Sequence, residues 1–86
     1  MTVQLRADVS TADTDDGLVL LDERAGRYWQ LNSTGALVLR LLLDGAAAPQ
    51  IAQTLANQYT VSIEQAVADV AALLEQLHIA KLVTDN

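Results

Sequence analysis

Apolar and polar residues alternate from Val3 to Val9 (VQLRADV), the period-two pattern of a half-buried strand. The next seven positions, Ser10 to Asp16, are almost wholly polar and read as a connection. Gly17 to Asp22 (GLVLLD) is an apolar run and predicts a central strand. Glu23-Arg24-Ala25-Gly26 reverses the chain, with Gly26 free to take positive φ. Arg27 to Leu31 (RYWQL) then predicts the returning strand, which completes a three-stranded meander.

Past Leu31 the period lengthens. Asn32 or Ser33 is placed to cap a helix, because either side chain can accept from an orphan amide. Ala36 to Leu43 is apolar almost all round, so this first helix belongs at the centre, and Asp44-Gly45 ends it. Pro49 suits the first turn of a second helix, where its missing N–H would lack a partner anyway. Ile51, Leu55 and Tyr59 give that helix one buried stripe. Tyr59-Thr60-Val61 makes a tight turn, and Ser62-Ile63-Glu64-Gln65 has the capping-box spacing that opens a third helix running to about His78. Ile79 to Val83 has room for a short strand. The fold class is α+β: three strands, then three helices, the last two joined as in a helix-turn-helix.

Charge and composition narrow the function. At 86 residues the chain supports one domain, taken as residues 1–86. Cysteine is absent, which removes disulfides, thiolate nucleophiles and zinc-thiolate sites and is compatible with a reducing cytoplasm. No apolar run is long enough for a signal peptide or a membrane helix. The net charge of -6 disfavours phosphate backbones and anionic membranes and favours basic partners. Asp13, Asp15 and Asp16 lie close together, but without the glycine and distal glutamate of a calcium loop they read as a solvated turn. No metal or cofactor site is expected.

A DNA-reading role is the main rival for a helix-turn-helix. Between Ser62 and His78, however, the third helix carries Glu64, Asp69 and Glu75 and no lysine or arginine. Carboxylates facing a duplex would repel it. The only histidine, His78, has no serine or cysteine partner in a recognisable motif, so no catalytic residue is expected.

Two of the chain's three aromatic residues stand together in the third strand, and that strand is the more informative feature. In a sequential meander it lies at the sheet edge, and beyond Arg27 it carries none of the lysines, prolines or bulges that usually guard an edge. Tyr28 and Gln30 face one way, Trp29 and Leu31 the other. On the third helix, Ile63, Val67, Val70, Leu74 and Leu77 form the expected core stripe. Ala66, Leu73 and Asp69 sit on its shoulder. An open edge beside an apolar shoulder suits capture of an extended peptide by strand addition. The expected peptide-binding set is Arg27, Tyr28, Trp29, Gln30 and Leu31 on the strand. Ala66, Asp69, Val70, Leu73, Leu74 and Leu77 complete it on the helix.

The segments "LLDERAGRYWQLNSTGALVLRLL" and "VADVAALLEQLHIAKLV" resemble the PqqD-like family of RiPP recognition elements. The likeness rests on Trp29-Gln30-Leu31-Asn32, on Thr34-Gly35 opening the first helix, and on Asp69-Val70 followed by Leu74. It covers the chain from Gly17 onward and departs from the family at His78-Ile79-Ala80-Lys81, where members often carry a glycine. The resemblance implies a winged helix-turn-helix fold that binds the leader of a ribosomally made precursor peptide against the third strand and third helix. A stand-alone domain of this size resembles the leader-binding proteins of lasso-peptide gene clusters. The implied partners are then a cysteine-protease leader peptidase and an ATP-dependent macrocyclase. A PqqD-type chaperone for a radical enzyme is the alternative within the family.

Overall fold

The computed structural model describes residues 3–85. Eight elements follow in order: β1 (Val3–Leu5), β2 (Val9–Thr14), β3 (Gly17–Asp22), β4 (Arg27–Asn32), α1 (Ser33–Leu43), α2 (Ala48–Tyr59), α3 (Ile63–Ile79) and β5 (Val83–Asp85). The fold is α+β, with an antiparallel sheet ordered β2-β3-β4 and three helices.

The expected first strand is divided. Val3–Leu5 leaves the meander and pairs antiparallel with β5, Leu5 opposite Val83. The chain turns at Arg6, whose carbonyl accepts from Val9 N–H at 3.0 Å and whose guanidinium donates to the Lys81 carbonyl at 3.0 Å. The segment expected as a polar connection is instead β2, paired along its whole length from Val9 opposite Asp22 to Thr14 opposite Gly17. Only Asp15 and Asp16 remain as the turn. A strand exposed on both faces needs backbone pairing rather than apolar side chains, and polarity therefore conceals it.

Asp22 is buried at the β3–β4 hairpin, where its side chain accepts from Ala25 N–H at 3.2 Å. Gly26 closes the hairpin at φ 67°. Gly17 has a different duty: a Cβ there would lie 1.9 Å from the Leu31 carbonyl oxygen, so only glycine admits β4 at this distance.

α1 is capped by Asn32, whose side chain accepts from Gly35 N–H at 2.8 Å. Its Ala36, Val38, Leu39 and Leu42 are buried between the strands and the other helices. Ile51, Ala52 and Leu55 of α2 join the same core, whereas Tyr59 stays 40% exposed. On α3 the buried positions are Ala66, Val70 and Leu77, with Leu73 and Leu74 half-buried. Ile63 and Val67, expected in the stripe, are exposed. At 100° per residue the buried face is turned roughly 40° from the expected one. The cause is size. Ala52 and Ala66 are both fully buried where α2 and α3 pack together, and side chains this short let the two helices approach.

Lys81 stands at φ 60°, the left-handed conformation that the family's glycine would supply, and the turn is retained. The Lys81 and Leu82 amides donate to the His78 and Leu77 carbonyls at 3.0 Å each. A lysine there costs about 1 kcal/mol relative to glycine.

Candidate functional site

β4 pairs with β3 on one side, and among the described residues no strand pairs with its other side. The register decides which way its side chains point. The buried side chains of β3, Leu18, Leu20 and Asp22, stand opposite Leu31, Trp29 and Arg27. Directly opposed residues of an antiparallel pair share a face. Arg27, Trp29 and Leu31 therefore turn toward the helices and Tyr28 and Gln30 turn away, whereas Asn32 at the strand's end turns its side chain to the α1 cap.

Between β4 and α3 lies an open cleft of about 490 Å³. Gln30, Leu31 and Asn32 form one wall and Asp69, Ala72, Leu73 and Gln76 the other; Thr34, Gly35 and Val38 of α1 form the floor. A second hollow of about 330 Å³, bounded by Arg27, Trp29, Gln76, Ile79 and Ala80, continues it. Gln76 borders both. The two make one trough along β4. Gly35 helps shape it: a Cβ there would meet Leu31 Cβ at 3.4 Å, so the glycine lets Leu31 settle against α1.

Trp29 is 39% exposed beside the trough, with the Arg27 guanidinium 5.9 Å from its ring centroid. Asp69 sits at the other end, its carboxylate accepting from Gln65 Nε2 at 2.9 Å. Gln65 thus does not complete the expected capping box; Ser62 alone caps α3 by accepting from Gln65 N–H at 3.1 Å. The carboxylate of Asp69 and the guanidinium of Arg27 give the trough opposite charges at its two ends.

Of the expected set, Arg27, Trp29, Gln30, Leu31, Asp69 and Leu73 border the trough. Tyr28 is 72% exposed on the opposite sheet face. Leu74 is half-buried against the core. Ala66, Val70 and Leu77 are core residues that hold α3 in place from behind and offer little surface to a ligand. Ala72, Gln76, Ile79 and Ala80 were not anticipated. The signal was available, since Asp69, Ala72, Leu73, Gln76 and Ala80 recur at helical spacing on one face.

His78 lies just past the trough. Its Nδ1 is 2.9 Å from the Leu74 carbonyl oxygen and its Nε2 is 3.0 Å from an Asp85 carboxylate oxygen. Both neighbours are acceptors, so only the doubly protonated ring satisfies them together. The Asp85 hydrogen bond, followed by the one to Leu74, raises the pKa of His78.

The family model for coenzyme PQQ synthesis protein D (PqqD) matches residues 17–83. The chain belongs to the PqqD family. A search of curated protein sequences finds no match. Two solved structures are similar over nearly the whole chain. The first, a lasso peptide synthetase B1 complexed with the leader peptide, is 42% identical with a TM-score of 0.93 and covers 99% of this chain and 100% of that one. The second, TbiB1 in complex with the TbiA(beta) leader peptide, is 26% identical with a TM-score of 0.86 and covers 100% and 98%. The PqqD match includes β3, β4 and all three helices, hence both walls and the floor of the trough.

Proposed function

We propose that this PqqD-family chain is a non-catalytic adaptor that binds the leader segment of a ribosomally made precursor peptide and presents it for lasso-peptide maturation. One observation carries the reading: a strand edge that no strand pairs among the described residues borders a trough of mixed polar and apolar lining, in a fold shared with two proteins that bind leader peptides. The leader extends the sheet as a strand beside β4. Its main chain bonds to the free edge, and alternate side chains enter the trough between Trp29, Leu31 and Leu73.

Apolar burial and main-chain pairing supply the gross binding energy. Two or three apolar side chains entering the trough contribute roughly 1.5–3 kcal/mol each. About four main-chain hydrogen bonds add roughly 1 kcal/mol apiece. Ordering the peptide and fixing the pair in space offset much of this gain. Asp69 attracts basic residues of the leader. The adaptor works in the cytoplasm, handing its cargo to a cysteine-protease leader peptidase and then to an ATP-dependent macrocyclase. α3 carries three carboxylates and no lysine or arginine, which disfavours the DNA-binding alternative.

Leu73→Glu tests the reading, because Leu73 lines the trough while only half-buried. Isothermal calorimetry with the precursor's leader should show at least about a hundredfold loss of affinity, with an unchanged circular dichroism spectrum. An affinity equal to wild type would refute the groove.

A further inference from the structure

Five bases stand against eleven acids in this chain, and most of the bases are already engaged. Arg24 and Arg40 form ion pairs with Asp8 and Asp13, and the Arg6 guanidinium donates to the Lys81 carbonyl. Lys81 follows the end of α3 and does not border the trough. Arg27 does border it, and among the described residues it forms neither an ion pair nor a side-chain hydrogen bond. Asp22 stands directly opposite across the hairpin, but that carboxylate accepts from the Ala25 amide. An exposed arginine left unpaired in so acidic a chain, over the ring of Trp29, is a charge waiting for a partner.

The hollow below it holds a second open donor. The Gln76 side chain borders this space and makes no hydrogen bond among the described residues. Trp29, Ile79 and Ala80 supply the rest of the lining, all of it apolar apart from the indole N–H. Two donors above an apolar surface suit a side chain with a hydrocarbon stem and a carboxylate head. The stem covers Trp29 and Ile79 while the head accepts from the guanidinium and the amide. Strand addition delivers such a side chain, because a residue paired opposite Arg27 shares its inward face. A lysine there would be repelled. At long range the net charge of -6 disfavours any acid on the peptide, so a leader carboxylate needs a specific base to meet it.

We propose that Arg27, assisted by Gln76, is a specificity-determining residue that recognises one aspartate or glutamate of the leader. This deepens the adaptor reading above and rests on it. Asp69 lies at the other end of the trough, beside Leu31 and Asn32. Arg27 and Leu31 are four residues apart, about 13 Å along an extended chain. The leader therefore carries its acid and its basic residue at least about four positions apart, rather than being basic throughout. The order of the two charges fixes its direction and register on β4.

Calorimetry at low salt with the precursor's leader peptide provides the test, each acidic residue of the leader being replaced in turn by lysine. Arg27→Glu should bind wild-type leader about tenfold or more weakly, with an unchanged circular dichroism spectrum. One lysine-substituted leader should be equally weak on the wild-type domain yet bind Arg27→Glu to within about threefold of the original affinity, and that reciprocal rescue identifies the partner. The milder Arg27→Gln should lose about threefold or more, and the loss should shrink as salt rises. Arg27→Gln binding as tightly as wild type overturns the assignment, as does the failure of every substituted leader to rescue Arg27→Glu. Tighter binding by Arg27→Glu also overturns it, by giving the hollow to a basic side chain. A wild-type chain that binds no leader removes the adaptor reading itself, whereas normal binding that is indifferent to Arg27 removes this proposal alone.

Discussion

β3 and β4 are neighbouring strands of the same length in one sheet, and Leu20 of the first stands opposite Trp29 of the second. Leu20 is fully buried, whereas Trp29 is 39% exposed. β3 has a strand on each side and α1 against its inner face, and its alternate residues form part of the core. Among the described residues β4 has a strand on one side only, and none of its six residues is buried. A large aromatic residue on an open edge contributes little to the core, and its surface remains available to a partner. The same sheet thus contains a strand for stability and a strand for binding.

Truncating the opposed pair should separate the two roles. Leu20→Ala should cost about 3 kcal/mol of stability in urea unfolding, because it leaves a cavity in the core. Trp29→Ala should cost less than about 1.5 kcal/mol yet weaken leader binding about tenfold or more. Equal losses of stability would erase the contrast between the strands. Gly17→Ala attacks the seam itself. The added methyl would press on the Leu31 carbonyl, so β4 has to shift, and a loss of about 2 kcal/mol is expected by thermal unfolding. Leader affinity should drop with it.

Asp69→Asn should be milder. An exposed carboxylate steering a basic peptide is worth a few tenths to 1 kcal/mol, so calorimetry at low salt should show about a threefold loss. In 1 M salt, where screening acts within about 3 Å, wild type and variant should converge. A loss independent of salt would assign Asp69 a packing role.

The smallest effect concerns the second sheet. His78 on α3 holds Asp85 on β5, and its pKa is raised from its ordinary 6.5, chiefly by that hydrogen bond. A raised folded-state pKa means the contribution is fully present below pH 6.5 and is lost as pH rises through the higher folded value. Hydrogen-exchange protection of the β1–β5 amides should therefore decline from pH 6 to pH 8 while that of the meander holds. His78→Gln should remove the dependence.

How much of this was legible depends on how local the cause is. The helices opened and closed where Asn32, Gly45, Pro49 and Ser62 indicated, since caps and turns act over three or four residues. β2 was hidden because its exposed polar side chains carry no apolar period, and the β1–β5 pairing joins segments almost the full chain apart. Only the fold could bring those together. The rotation of α3 was equally hidden. Ala66 reads as a weak hydrophobe in sequence, and its value lies in how closely it lets α2 approach.

The sequence alone determined the elements of the site: an aromatic strand without edge guards, a glycine-opened helix behind it and an acidic third helix. Tertiary structure alone decided which faces those elements turn to one another. It placed Trp29 and Leu31 toward α3, left Tyr28 and Leu21 on the far side, and set Leu73 rather than Ala66 at the trough. The physical reason is that alternation fixes which residues share a face, whereas packing volume fixes which face is covered.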